Sequence, residues 1–262
     1  MKEYLKPLDV NYSGKQAVKV YASQEKASSY VAQRIAKVIV DKQQQGNHAV
    51  LGLATGSTPK GVYQELIRLH QYEGLSFENV ITFNLDEYYP IHPVEEQSYV
   101  AFMKNNLFNH INIKPQHVHI PDGTLSLEAI EAYCHLYEQK IADYGGLDLQ
   151  LLGIGRTGHI GFNEPGALLH STTRLVTLND LTREDASNDF GGKESVPTQA
   201  ITMGIKTITE AKEVILMALS NRKAEIVKKA LQGDISSEVP ATFLQEMNHV
   251  EYIFDQEAAA LL

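Results

Sequence analysis

The sequence has almost none of the features that mark secreted or membrane proteins. Among its 262 residues there is one cysteine, Cys134. A single cysteine excludes a disulfide within the chain and favours a reducing compartment, so we expect a cytoplasmic protein. The opening stretch, MKEYLKPLDV, contains no apolar h-region, and nowhere do about 18 apolar residues follow one another. No membrane partner is therefore expected.

Positive charge is also scarce. The chain has 23 Lys and Arg against 32 Asp and Glu, a formal net charge of −9, and no segment gathers basic residues. This balance argues against a nucleic-acid partner. Because the overall field repels anions, an anionic substrate would need a local, preorganised site.

Short apolar runs alternate with helical patterns along the chain. This alternation predicts an α/β fold with a parallel sheet and helices on both faces. Strands are predicted at 48–54, 80–85 and 147–155, and from TRLVTL, EVILMALS and VEYIFD. Helices are predicted from SQEKASSYVAQRIAKVIVDK, GVYQELIRLHQYEG and NRKAEIVKKALQG, and after the caps Ser98 and Ser126.

The chain contains no linker long enough to separate two domains. Its length suits one large α/β domain or two small ones, so we expect a single domain over residues 1–262. The polar stretch 180–197 is the least regular part of the chain. We expect the segment around 162–197 to form a lid-like excursion from that domain.

Four strand ends are candidates for a ligand site, because open α/β sheets bind ligands beyond the carboxyl ends of their strands. They follow Ala54, Leu85, Gly153 and Leu219. The four segments that begin there carry different kinds of chemistry.

Two of the segments favour an anion. In ATGSTPKG, Gly56 permits a tight turn, and Ser57 and Thr58 can offer hydroxyls and free N–H groups at a helix start. In SNRKA, Arg222 and Lys223 oppose the helix dipole, which a bound anion would explain. An ordinary strand-to-helix turn and a solvated first helical turn remain the alternatives.

The other two segments carry acid–base groups. In NLDEYYP, Asp86 and Glu87 should point to opposite sides, so only one enters a given pocket, where burial could make it a general base. In GRTGHIGFNEPG, His159 can move protons and Glu164 can fix its tautomer. A solvated turn acid and a structural loop histidine are the alternatives. The glycines of this segment, Gly158, Gly161 and Gly166, would let a ligand approach the backbone.

No metal site is indicated. His117 and His119 alternate along a predicted strand, but no third ligand is nearby in the sequence. We interpret both as structural residues.

These motifs together resemble the glucosamine-6-phosphate deaminase family, also called glucosamine-6-phosphate isomerases. The resemblance runs from LGLATGSTP to VEYIFDQEAA and is most specific in NLDEY and GHIGFNEPG. It implies a modified Rossmann-type α/β sheet. It also implies an enzyme that converts glucosamine 6-phosphate and water to fructose 6-phosphate and ammonia, a hydrolase acting on a C–N bond, without metal or organic cofactor.

The resemblance implies roles for individual residues. The substrate phosphate would lie on Gly56, Ser57 and Thr58, with Lys223 as counter-charge. His159, oriented by Glu164, would open the sugar ring. Asp86 would then move the proton from C2 to C1.

The sequence departs from the family pattern at two positions. Thr157 replaces an Asp that often completes the relay with the histidine and Glu164. Threonine cannot carry negative charge, so His159 would rest on Glu164 alone. Asn188 stands where the family usually has an arginine for the phosphate. Lys223 would then carry more of that contact, or another cation such as Arg183 or Lys193 would contribute.

Other functions fit the same motifs. The enzyme could act on the galactosamine epimer, because the sequence does not fix the C4 stereochemistry. A sugar-phosphate sensor would need the phosphate turn but no proton shuttle, which Asp86, His159 and Glu164 argue against. The protein could be a monomer or a homo-oligomer.

Overall fold

The computed structural model describes residues 6–8, 12 and 14–262. Most of the opening stretch MKEYLKPLDV lies outside these residues. In the described part, the strands are β1 Ala17–Tyr21, β2 Ala49–Leu53, β3 Val80–Asn84, β4 Asp86–Tyr89, β5 Val118–His119, β6 Leu149–Leu152, β7 Arg174–Thr177, β8 Gln199–Thr202, β9 Val214–Ala218 and β10 Val250–Asp255. The α-helices are α1 Gln24–Gln44, α2 Lys60–Glu73, α3 Tyr99–Asn106, α4 Leu127–Asp143, α5 Asp180–Ala186, α6 Ile205–Thr209 and α7 Ala224–Gln232.

The main sheet is parallel and has seven strands in the order β1-β10-β9-β6-β2-β3-β5. Its central strands β2, β3 and β9 are buried along their whole length. Apolar runs without alternation are typical of parallel strands that are covered on both faces. This sheet confirms the α/β fold predicted from the alternating pattern.

Helices cover both faces of the sheet, and each face has its own apolar core. One core joins the sheet to α1, α2 and α3 through side chains such as Ile35, Leu66 and Met103. The other joins it to α4 and α7 through Tyr137 and Val227. Local signals set the helix boundaries: Ser98 Oγ accepts from Ala101 N at the start of α3.

TRLVTL was expected among the strands of the parallel sheet, and this prediction was wrong. It forms β7 in a separate antiparallel sheet of order β4-β8-β7. Its residues are half-buried or exposed, whereas the parallel strands are mostly buried. A strand with one open face belongs to an antiparallel sheet, and the short polar strand β8 that pairs with it gave no clear sequence signal.

The segment 162–197 leaves the main sheet after β6 and contains β7, α5 and a 3₁₀ turn at Lys193–Ser195. In the part of the chain that the structure describes, no helix has the length and apolar character needed to cross a membrane.

Candidate active site

The four strand ends meet at one cavity of about 190 Å³. Two adjoining loops form its walls, one after β2 and one after β6, and β4 and the start of α3 close it. The lining residues are Ala54, Thr55, Gly56, Ser57, Thr58, Leu85, Asp86, Tyr99, Gly153, Ile154, Gly155, His159, Gly161, Phe162 and Lys223. The structure therefore brings together most of the residues that the sequence singled out, from positions up to 169 residues apart (54 to 223).

Asp86 and Glu87 diverge, as expected for neighbours in an extended chain. Asp86 faces the cavity, while Glu87 turns to the start of α3. There the Glu87 carboxylate accepts from Tyr99 N at 2.9 Å and Val100 N at 3.1 Å. Glu87 thus holds the helix that delivers Tyr99 to the cavity.

Asp86 is an unusual carboxyl group. Its side chain is buried, and among the described residues no side chain donates a hydrogen bond to it. Burial, followed by the charge of Glu87, raises the pKa of Asp86 to about 8. A carboxyl group whose pKa lies near physiological pH can both take and return a proton there.

His159 lies flat against the backbone of Gly155. A Cβ at position 155 would come within 2.0 Å of His159 Nε2, so only glycine leaves room for the ring. We expected Gly158, Gly161 and Gly166 to let a ligand approach the backbone, and Gly161 lines the cavity. Gly158 has a positive φ and faces Val239. Gly161 also has a positive φ and faces Thr202 and Asp86.

Three oxygen atoms surround the Nδ1 atom of His159. They are Thr157 Oγ1 at 2.9 Å, Glu164 Oε2 at 3.2 Å and Thr182 Oγ1 at 3.4 Å. Thr157 Oγ1 also donates to Glu164 Oε2 at 3.3 Å. Acceptors on the Nδ1 side favour a proton there, which leaves Nε2 as the nitrogen that can accept a proton.

Glu164 is the charged member of this group. Burial opposes its ionisation, but the hydrogen bond and charge of His159 outweigh burial and hold the pKa of Glu164 below its usual value. The backbone N–H of Asn179, which caps α5, also approaches Glu164 Oε1 at 3.4 Å. The carboxylate is therefore fixed from both the loop and α5.

The turn after β2 is open towards the cavity. Gly56 has a φ of 88°, in the region that favours glycine. The amides of Gly56, Ser57 and Thr58 donate to no backbone carbonyl among the described residues. Unpaired N–H groups before a helix form a ready site for an anion.

Lys223 lies beside this turn, in the segment that follows β9. Its Nζ donates to Ile154 O at 2.8 Å. Burial lowers the pKa of Lys223; Asp185 opposes this shift, and nearby Arg156 and Arg222 strengthen it. An incoming anion would relieve this crowding of positive charge.

Two cations that were considered for the phosphate turn away from the cavity. The Arg183 guanidinium donates to Lys193 O at 3.0 Å and Val196 O at 3.1 Å. Lys193 Nζ pairs with Asp180 at 3.0 Å.

Sequence reasoning missed three residues at the site. Tyr99 lines the cavity, Thr182 contacts His159, and Arg156 borders an adjoining cavity with Ser57 and Lys223. Nothing in the sequence pattern around Tyr99 or Thr182 signals these contacts, because helices distant in the chain supply them. Arg156 lies within the motif that drew attention to His159, and its charge was the available signal.

His117 and His119 pack against aromatic rings at the sheet edge. The ring centroids lie 5.2 Å apart for His117 and His48, and 4.6 Å apart for His119 and Phe83. These contacts agree with the structural interpretation of both residues.

Parallel α/β proteins that bind a small molecule at the carboxyl edge of the sheet are the class that this fold and cavity define. The chain belongs to the glucosamine-6-phosphate isomerase/6-phosphogluconolactonase family, whose model matches residues 22–253.

Named relatives support this assignment. A glucosamine-6-phosphate deaminase of Clostridium botulinum (strain Langeland) is 47% identical over 238 residues, 91% of this chain and 95% of that protein. A putative glucosamine-6-phosphate deaminase-like protein of Bacteroides thetaiotaomicron is 45% identical over 240 residues. This match covers 92% of the chain but only 36% of the Bacteroides protein.

A solved structure shares the fold closely. It is that of a monomeric glucosamine-6-phosphate deaminase and is 44% identical, with a TM-score of 0.90. The match covers 94% of this chain and all of the solved one.

Proposed function

We propose that the protein converts glucosamine 6-phosphate and water to fructose 6-phosphate and ammonia. One observation carries the proposal: a buried Asp86 and His159 line a single cavity together with Gly56, Ser57 and Thr58 of the turn after β2. The names of the relatives at 45–47% identity support the same reaction.

The phosphate binds at the turn after β2. The N–H groups and hydroxyls of Ser57 and Thr58 face the same cavity as the Lys223 ammonium. Gly56 gives the turn its shape, and the start of α2 adds its dipole. The sugar ring then extends towards Asp86 and His159.

His159 opens the ring. Nε2 takes the proton of the C1 hydroxyl and delivers a proton to the ring oxygen, giving the open-chain aldehyde. Glu164 and the Thr157 hydroxyl hold the imidazole ring of His159 and stabilise its protonated form. Thr157 thus orients the imidazole as an acid would, but it adds no charge.

Asp86 performs the isomerisation. Its carboxylate removes the C2 proton, forming an enolamine, and returns a proton to C1, forming the imine of fructose 6-phosphate. Water adds to the imine carbon at C2, and ammonia leaves. A substrate ammonium beside Asp86 favours the ionised carboxylate that the first step requires.

The chemistry therefore has two parts. The proton transfer from C2 to C1 is an isomerisation, and the loss of ammonia is hydrolysis of a C–N bond. Neither part requires a metal or an organic cofactor.

The segment 162–197 acts as a lid over this cavity. Residues of α5 and the stretch that follows it line an outer cavity of about 650 Å³ that is continuous with Ser57 and His159. Its closure would exclude water while the enolamine exists. We further propose that the protein works in the cytoplasm on a small-molecule substrate, as a monomer or homo-oligomer.

The direct test is to incubate the purified protein with glucosamine 6-phosphate and to measure ammonia and fructose 6-phosphate. We expect both products in equal amounts. Galactosamine 6-phosphate in a parallel reaction tests the C4 stereochemistry, and the Asp86→Asn variant is the control for contaminating activity. Binding of the sugar phosphate without either product would instead indicate a sensor.

A further inference from the structure

Arg156 stands at the mouth of the site, in the loop after β6. Its Nη2 atom pairs with Asp185 Oδ1 at 3.0 Å, and the same atom approaches Leu181 O at 3.5 Å. Both partners of the ion pair are about half exposed, at 52% and 49%. Exposed pairs of this kind contribute little and exchange partners readily.

A cavity on this side of the site gathers positive charge. Arg156, Arg222 and Lys223 line it together with Ser57 and Thr58 of the anion-binding turn. Asp185 is the only acid among the described residues that line it. In a chain of net charge −9, three cations that face one acid form a local excess of positive charge.

Two other arginines near the site are already engaged. The Arg183 guanidinium donates to two backbone carbonyls, and the Arg174 guanidinium donates to Asn163 Oδ1 at 3.0 Å and Thr172 O at 3.2 Å. Arg222 lines the same cavity as Arg156 and is therefore the rival for an anion there. Arg156 differs because it has an exposed acidic partner that an anion can replace, and because it lies in the same loop as His159. A guanidinium can also bind a phosphate through two parallel hydrogen bonds.

We propose that Arg156 binds the phosphate of the substrate and exchanges its pairing with Asp185 for the phosphate oxygens. Arg156 thereby supplies the guanidinium that Asn188 cannot. The choice of a sugar phosphate as ligand rests on the proposed function, but binding of a phosphate group does not.

The test compares the binding of inorganic phosphate by calorimetry in four variants of the full chain. We expect Arg156→Gln to weaken binding by about 10- to 100-fold, the effect typical of a lost charge-assisted hydrogen bond. Asp185→Asn should tighten binding, because it frees the guanidinium. Arg222→Gln tests the rival arginine and should weaken binding far less than Arg156→Gln does. Arg68→Gln, on α2, removes the same charge away from the turn and should bind as the wild type does.

Turnover then separates this inference from the proposed function. With glucosamine 6-phosphate, Arg156→Gln should raise KM by a similar factor and leave kcat within about threefold. Wild-type affinity for phosphate in Arg156→Gln, or a larger loss of affinity in Arg222→Gln, would overturn the inference even if turnover is normal. Unchanged affinity in Asp185→Asn would overturn the exchange of partners. If the wild type forms no fructose 6-phosphate but phosphate binding depends on Arg156, the inference stands and the proposed function fails.

Discussion

Asp86 and Glu164 show how single residues acquire different tasks in one site. Burial without a hydrogen-bond donor raises the pKa of Asp86, whereas contact with His159 lowers the pKa of Glu164. Two carboxyl groups whose pKa values are pushed apart are the usual sign of separate acid–base roles. Here Asp86 can exchange protons near neutrality, and Glu164 stays charged to support the imidazole.

The raised pKa of Asp86 predicts a cost in stability at high pH. Between its usual pKa near 4 and about 8, the unfolded chain releases the Asp86 proton and the folded chain keeps it. This contribution to folding stability is therefore present at pH 4 and is lost as the pH rises to 8. Asp86→Asn removes the ionisable group. The melting temperature of the variant should therefore exceed that of the wild type at pH 8.5 but not at pH 5. An equal difference at both pH values would contradict the assignment.

Thr157 offers a second prediction at this scale. The Thr157 hydroxyl lies 2.9 Å from the Nδ1 atom of His159, so Thr157→Asp places a negative charge beside this atom, where it should favour the protonated ring. The limb of the kcat/KM pH profile that His159 controls should shift to higher pH, while the maximal rate changes less than about tenfold. Thr124→Asp, on an exposed turn, is the matched control. A profile identical to that of the wild type would remove Thr157 from the relay.

Some site residues could be predicted from the sequence and others could not. Asp86, His159, Glu164 and Lys223 follow strand ends, and the sheet brings those ends together. Tyr99 lines the cavity because Glu87 binds the start of α3. This is a tertiary contact that the local sequence does not signal.

At the scale of elements, α5 contacts the residues that orient His159. Its Thr182 hydroxyl lies 3.4 Å from His159 Nδ1, and its cap Asn179 approaches Glu164. The position of α5 is thus coupled to the orientation of the imidazole. The lid that we propose and the residues around His159 are therefore in direct contact through α5.

Thr182→Val tests this coupling with a side chain of nearly the same shape. Loss of one neutral hydrogen bond should lower kcat by about 2- to 10-fold and leave KM for the sugar phosphate almost unchanged. Thr198→Val, outside α5, serves as the control. Wild-type kcat together with a shifted KM would mean that Thr182 shapes binding and not the relay.

The elements themselves were predictable to different degrees. Long helices such as α1 and α4 follow from the sequence because one face of each is buried at the helical period. Apolar runs such as β2 and β9 follow from it because their burial is uniform. The second sheet does not, because its strands have four residues each and are stabilised by one another. The pairing of β4 with β8 joins residues more than 100 positions apart, such as Asp86 and Thr202.

For the whole molecule, we predict that N-acetylglucosamine 6-phosphate does not activate turnover. Allosteric members of the family that the sequence resembles use two serines and a basic pair for this effector. Here those positions hold Ala167, Leu168, Arg174 and Val176, and the Arg174 guanidinium is already bonded to Asn163. Without differential contacts an effector cannot shift an equilibrium between states. Rate against substrate should be hyperbolic, and a sigmoidal curve that the acetylated sugar makes hyperbolic would show an effector site built from other residues.

The central claim is that Asp86 carries the proton from C2 to C1 of the sugar bound in this cavity. The most direct measurement follows deuterium in glucosamine 6-phosphate labelled at C2, comparing the wild type with Asp86→Asn. The wild type should remove the label and deliver part of it to C1 of fructose 6-phosphate. Asp86→Asn should still bind the sugar phosphate but lose the label at least about 10²-fold more slowly. Removal of the C2 label by Asp86→Asn at the wild-type rate would contradict the account.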